Sequence, residues 1–300
     1  MLERDNLGFA GGCNEGARAT RAPLLVLLNP DAVPEPGFLD GLRAAADANP
    51  DWGAWQALVS LPGRAEVNTD GNVVHWLGIA WAGGLHTPAA QARARGDREV
   101  GFPSGAAMAI RREAWDAVGG FDGRYFMYGE DLDLGLRLRL AGWGCGVAPA
   151  AEVVHDYEFA KGDYKWFWLE RNRAWTVLGV YPGALLAALA PALVAFEVVL
   201  LALAWRGGWL RAKLRAQAAV LRELPAIRRR RAAVQATRAV SARAFADALS
   251  DSLDSPNLAA AHAIPGADAA QRAYWQAVRA LTTRSRRRTR PAADRRRLTR

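Results

Sequence analysis

Cysteine is almost missing from this chain of 300 residues, with Cys13 and Cys145 the only two. No CxxC pair occurs, which excludes a disulfide scaffold and a thiolate zinc site; two isolated cysteines are expected as small buried residues in a reducing compartment. Lysine is scarce too, at three of the 39 basic residues: Lys161, Lys165 and Lys213. No segment recurs at a fixed period, so solenoids and propellers are out. The opening "MLERDNLGFAGG" is charged and then glycine-rich, without the apolar core of a secretory signal. Its glycines lead to no GK[ST], so it is no P-loop. No Ser–His or Cys–His arrangement points to a covalent nucleophile. The basic stretches lack interleaved aromatics in any fold motif that reads nucleic acid, so nucleic acid is not an expected partner.

Charge is present in quantity but unevenly placed. The net value of +9 hides a division at about Ala160. Up to that residue 13 Arg face 21 Asp and Glu; from Lys161 onward 26 Lys and Arg face 9 acids. The front half reads as an acidic enzyme domain, and the back half as a region that seeks anionic surfaces. Residues 1–160 are therefore expected as one domain and 161–250 as a separate, membrane-associated helical region. Residues 251–300, which end in "SRRRTRPAADRRRLTR", are expected as a basic and largely disordered tail.

The long apolar run is Thr176 to Trp205, in which Glu197 is the single charge. A core helix would share this composition, but Ala184 to Trp205 is 22 residues, about 33 Å as a helix, and that favours membrane contact. Trp166, Trp168, Trp175, Trp205 and Trp209 flank it as interfacial aromatics do. Basic residues from Arg206 to Arg231 put the C-terminal flank in the cytoplasm by the positive-inside rule. A single span would then separate the front domain from that compartment. Pro191 divides the run into halves too short to cross, and Glu197 would be costly at the bilayer centre. The expectation is a shallow helix pair on the cytoplasmic face of the cell membrane, with its basic flank on anionic headgroups. The basic segment itself, "RGGWLRAKLRAQAAVLRELPAIRRRRAAVQATR", is expected to be interrupted at Pro225.

Several stretches could carry chemistry. "FMYGEDLDLGLRLRLAGWG" places Glu130, Asp131 and Asp133 beside alternating leucines. The alternation suggests a strand, but the Asp133–Arg137 spacing, the leading acids, the trailing arginines and Gly142 as a cap favour a helix. Its acids fit either of two readings: helix-start chemistry, or a reactive carboxylate tuned by its neighbours. "LLVLLNPD" is a strand, Leu24 to Leu28, that runs into Asp31, where α/β sheets collect ligands. "NLGFAGGCNEGAR" sets glycines before a helix. "PSGAAMAIRREAW" is a small-residue turn at Ser104 to Ala107 followed by a helix, and "EVVH" is a strand closing on His155.

The order of these stretches resembles the bacterial family 2 glycosyltransferases, and among them the rhamnosyltransferase-like members that build envelope polysaccharides. The resemblance implies a GT-A (Rossmann-like) α/β domain that moves a sugar from a nucleotide-sugar to a polysaccharide or polyprenyl-linked acceptor, with inversion. Carried onto this chain, it makes Asp131 the general base with Glu130 beside it. Ser104, Gly105 and Asp133 fall at the sugars, and Asn6, Gly8 and Asn14 near the nucleotide. Asp31 and His155 become ligands of Mg2+ or Mn2+, although Asn29 stands where many relatives carry a first Asp. The family opens with two further βα units, of "TYN" and "DNGSTD" type, that hold the nucleoside. This chain begins downstream of their pattern, so an exposed apolar sheet edge is expected. A non-catalytic, partner-binding remnant on the membrane is the alternative.

Overall fold

In the computed structural model, which describes residues 6–156, 164–254 and 266–282, strands and helices alternate in the first half and helices fill the second. Gly8–Arg18 (α1) leads into Leu24–Leu28 (β1), Ala32–Pro34 (β2), Phe38–Ala48 (α2) and Trp52–Ser60 (β3). Then come Val67–Thr69 (β4), Asn72–Val74 (β5), Ala80–Ala82 (β6), Ala89–Ala94 (α3), Arg98–Glu99 (β7) and Ala107–Arg111 (β8). Arg112–Val118 (α4), Glu130–Leu140 (α5) and Gly144–His155 (β9) complete the α/β part. Beyond it lie Tyr164–Val180 (α6), Gly183–Arg206 (α7), Leu210–Ala236 (α8), Ala242–Ala246 (α9) and Ala267–Leu281 (α10).

The main sheet runs β1-β8-β3-β9-β2, with β4 on β3 and β7 on β9. β3 and β9 are parallel, while β8 lies antiparallel to β1 and β3. β3 is buried at every position, which its near-continuous apolar run WGAWQALVS requires of a strand covered on both faces. β1 forms an edge, and its Val26 and Leu28 stay 37% and 40% exposed. The apolar sheet edge expected from the sequence is there.

α5 explains how alternating leucines make a helix. Leu132, Leu136 and Leu140 face a core shared with Phe102, Val177 and Leu185, while Leu134 and Leu138 face another with Leu25 and Met108. Two i,i+4 stripes on two faces read as period two along the chain. Gly135 sits where a Cβ would come within 2.5 Å of the Phe102 Cβ, and Gly142 ends the helix with φ of +89°.

Other expectations need correction. Met108–Arg111, read as the start of a helix, belongs to the strand β8, because pairing on both sides with β1 and β3 outweighs its local helical preference. The glycine-rich "GFAGGCNEGAR" does not precede a helix but forms α1 itself. Pro225 lies inside α8 and does not interrupt it. Pro191 likewise does not divide the apolar run: α7 is continuous over 24 residues, and the break falls at Tyr181–Pro182. A residue before proline is pushed out of helical geometry, whereas an interior proline forfeits one bond that packing of Leu185 and Leu189 can offset. The tail expected to be disordered contains α10, whose Trp275 is 1% exposed. Residues 283–300 of that tail lie outside the described residues. Nor is residue 160 a break in packing: Val74, Trp76 and Phe102 share one core with Val177, Leu189, Phe245 and Trp275.

Candidate active site

The end of β1, the turn before β8 and the start of α5 converge. Asn29 N–H donates to the Ala106 carbonyl at 2.9 Å, which ties the end of β1 to the Ser104–Gly105–Ala106 turn. Ser104 N–H donates to Gln56 Oε1 at 2.9 Å from the middle of β3. Gly105 N–H in turn donates to Asp131 Oδ2 at 3.2 Å. A Cβ at Gly105 would lie 3.3 Å from the Phe9 ring and 3.8 Å from Asp131 Cβ, so the turn approaches both closely. Asp31 lies just past β1, and the β2–β9 pairing of Ala32 with His155 brings the imidazole to it: His155 Nε2 is 2.9 Å from Asp31 Oδ1. Ser104, Gly105 and Asp131 thus form one continuous set, and Asp31 and His155 a pair.

The acids at the start of α5 sit in different electrostatic settings. Glu130 is buried, and its Oε2 has no hydrogen-bond partner among the described residues. Burial, and next the charge of Asp131, push its carboxyl up to about 8. Asp131 is half-buried; burial raises its pKa against the pull of the Gly105 and Leu132 N–H donors. Both carboxyls are thus raised, and the pair titrates together. Asp133 is fully buried, yet Arg230 and Arg137 outweigh that burial and hold its carboxyl below the usual range. Arg137 Nε donates to Asp133 Oδ2 at 2.7 Å, while Arg230 and the Tyr125 hydroxyl donate to Oδ1. Asp133 is 0% exposed and held by Arg137, Arg230 and Tyr125, so it is out of reach of a sugar and its expected role is corrected to an internal brace.

The residues expected near a nucleotide separate in the same way. Asn14 clamps the backbone of Phe121, donating to its carbonyl at 2.8 Å and accepting its N–H at 3.0 Å. Gly8 has φ of +68°, and a Cβ there would collide with the Phe126 carbonyl. Both are packing residues; Asn6 is exposed, its oxygen accepting Gly8 N–H at 3.0 Å. The Asp31 carboxylate is an oxygen donor of the kind that suits Mn2+ or Mg2+, with the His155 imidazole against it. Asp31 is 45% exposed at the side chain, which leaves room for further ligands. Among the described residues no third His, Cys, Asp or Glu joins them.

Residues unnoticed in the sequence complete the site. Gln56 is a polar residue at the centre of an otherwise apolar stretch of β3, which is a legible signal. Asn172, on α6, is 1% exposed, and its amide donates to the carbonyls of Tyr125, Met127 and Tyr128 at 3.0, 2.9 and 2.8 Å. It holds a loop in which Phe126 and Tyr128 adopt φ of +59° and +64°, values bulky residues rarely take. The run Glu170-Arg171-Asn172-Arg173 within an aromatic helix was its signal.

Comparison with known proteins identifies the family. The Glycosyltransferase like family 2 pattern matches residues 3–177, more than half of the chain, and the chain belongs to that family. It is 38% identical over 148 residues to the N-acetylglucosaminyl-diphospho-decaprenol L-rhamnosyltransferase of Mycobacterium tuberculosis, covering 46% of this chain and 48% of that one. To the rhamnosyltransferase WbbL of Escherichia coli it is 44% identical over 59 residues, covering 20% and 22% of the two chains. The chain spans about half the length of the mycobacterial relative. The solved structure of GalNAc-T7 with UDP, GalNAc and Mn2+ is 14% identical, covering 64% of this chain and 38% of that one, at a TM-score of 0.49.

Proposed function

We propose that this chain transfers a sugar, of the rhamnose class by the names of its relatives, from a nucleotide-sugar to a lipid-linked or polysaccharide acceptor of the cell envelope. The observation that carries the reading is the contact of Gly105 with Asp131, which sets a half-buried carboxylate against the turn where β1 ends. The acceptor hydroxyl gives its proton to Asp131 as its oxygen bonds to the anomeric carbon. The bond from that carbon to the donor diphosphate breaks on the opposite face, and the electron pair leaves with the diphosphate, so configuration inverts. Neutral Glu130 keeps a second charge away from the base. Ser104 and Gly105 contact sugar, and Asn6 lies toward the nucleotide. Asp31 and His155 would hold Mg2+ or Mn2+, which when bound neutralises charge on the departing diphosphate.

Membrane association belongs to the same reading. α7 is long and apolar enough to cross a bilayer by length and composition. Its Glu197, however, pairs with Arg173 of α6 and Lys213 of α8 and accepts from Gln217 at 3.0 Å. Those bonds tie α7 to α6 and α8, which supports a helix laid on the membrane rather than across it, and the basic flank supports the cytoplasmic side. Val194 and Val198, 66% and 64% exposed, enter the lipid. A second reading, in which the chain acts only when bound to another polypeptide, is favoured by the open edge of β1.

Asp131→Asn tests the transferase reading: transfer from the donor falls at least about 100-fold while nucleotide affinity by calorimetry is unchanged. Asp31→Ala, in the same titrations, removes the Mn2+ dependence of nucleotide binding and leaves the cation-free affinity as it was. Near wild-type transfer by Asp131→Asn, with acceptor saturating, overturns the assignment of the base.

A further inference from the structure

Asp131 has no side-chain partner among the described residues. Its carboxylate accepts only backbone N–H groups, from Gly105 at 3.2 Å and Leu132 at 2.8 Å. Two residues on, Asp133 is clamped by Arg137, Arg230 and Tyr125, so α5 is anchored from there onward. The first turn of the helix has no such anchor, and Glu130 Oε2 is unpaired among the described residues as well. The place of Asp131 is therefore set by the backbone that leads into α5, residues 125–129.

That loop is held in a costly conformation from outside the α/β part. Phe126 and Tyr128 have φ of +59° and +64°, and Gly129, at +80°, opens the helix by accepting Asp133 N–H at 2.9 Å. Strain of this kind in bulky residues persists only where neighbours over-determine it, and it gathers at functional sites. The neighbour here is Asn172 of α6, whose amide donates to the carbonyls of Tyr125, Met127 and Tyr128. A Cβ at Gly129 would lie 3.8 Å from Asn172 Cβ. Arg171 orients the amide: its Nη1 donates to Asn172 Oδ1 at 2.9 Å and to the Arg124 carbonyl at 2.7 Å. Its Nε donates to Glu223 of α8 at 3.0 Å, and Trp175 Nε1 donates to the same Glu223 oxygen at 2.7 Å. Glu170 and Arg173, on either side of the pair, engage Lys213 and Glu197 instead.

We infer that Asn172 is a positioning residue for the base: by fixing those three carbonyls it holds the first turn of α5 so that Asp131 meets the Ser104–Gly105 turn. Arg171 and Glu223 fix Asn172 in turn, so the base is placed from the helical part of the chain. The inference rests on the transferase reading, which gives Asp131 a proton to take. Without the Asn172 amide the loop relaxes from positive φ and carries Asp131 away from Gly105 N–H. A carboxylate that loses a hydrogen-bond donor becomes a weaker acid. The titratable groups about Asp131 are Glu130 and Asp133 of its own helix and Cys13 of α1, which feels the charge of Glu130. A substitution at residue 172 alters none of them.

Asn172→Ala in the full chain is the test. Asp131 is followed by carbon-13 NMR of its carboxyl, and transfer is followed with a nucleoside-diphosphate rhamnose as donor. The Asp131 titration midpoint is expected to rise by at least about half a pH unit. The value of kcat is expected to fall at least about tenfold, with the donor KM within about twofold of wild type. The acid limb of the kcat profile should move to higher pH together with the midpoint. Asn172→Ser, which keeps a hydroxyl donor, should recover part of both effects. Val177→Ala, which opens a cavity on the core side of the same helix, should lower the melting temperature and leave midpoint and kcat alone. Wild-type midpoint and kcat in folded Asn172→Ala overturn the proposal. Equal losses in Val177→Ala would make the role purely structural and overturn it too, as would unfolding of both variants at residue 172. A raised midpoint, where the wild-type chain transfers no sugar, would uphold the positioning and remove the transferase reading.

Discussion

Glu130, Asp131 and Asp133 share one short stretch of chain, yet the fold gives each a different electrostatic setting. Glu130 lacks a cation partner and is neutral at pH 7; Asp133 is clamped between Arg137 and Arg230 and stays ionised; Asp131 sits at the surface of the site. The crowding was legible in the sequence, but the division of roles was not, because Arg230 lies 97 residues further on. The same distance effect explains Gly179, whose missing Cβ makes room for the Arg230 guanidinium. A pH dependence follows for Glu130. Its folded pKa, about 8, is above the unfolded value near 4.3. The folded state therefore binds the extra proton between those values, and stability falls as pH rises through that window. Glu130→Gln should match the wild type near pH 4 and exceed it at pH 9 by up to about 5 kcal/mol, the ceiling set by about 1.4 kcal/mol per pKa unit before relaxation. Urea melts at the two pH values check this. An equal difference at both would mean that Glu130 is ionised in the fold.

At the scale of elements, periodicity alone misleads where both faces of an element are buried. α5 carries two leucine stripes and so resembles a strand, and the arginines and Gly142 at its end are what reveal it. Met108–Arg111 errs in the opposite direction, since a short run of Met, Ala and Ile carries no mark of the partners on either side. α7 depends on context as well. Its proline was a reasonable place to expect a break, but Tyr181–Pro182 takes that role, and the pairing of Glu197 with Lys213 at 2.7 Å fixes which side of the helix turns inward. Val194→Asp/Val198→Asp, on the open side, should reduce binding to phosphatidylglycerol vesicles at least about fivefold, because buried apolar area sets interfacial affinity. Cosedimentation with unchanged binding would show that the α7 surface does not meet lipid.

Across the whole molecule, the α/β part and the helical part share a core. Trp275 of α10 stacks on Trp76 with centroids 5.8 Å apart and planes at 7°, and is 1% exposed. Removing that ring in Trp275→Ala should cost about 3 kcal/mol, typical of a large buried aromatic. It should shift a single unfolding transition seen by both near- and far-UV dichroism. A second, unshifted transition would show that the halves melt independently. The sequence by itself determined the strand that runs into Asp31, the helix that starts at Glu130, the strand closing on His155, the acidic and basic halves, and the small-residue turn at Ser104 to Ala107. Those features are written in windows of a few residues, where hydrophobic period, turn chemistry and charge act locally. Only the tertiary structure decided which carboxylate is braced by Arg230, which apolar segments become central strands, and that the basic tail returns as a packed helix. Burial and charge pairing depend on residues far apart in the chain, and no local pattern records which of them will meet.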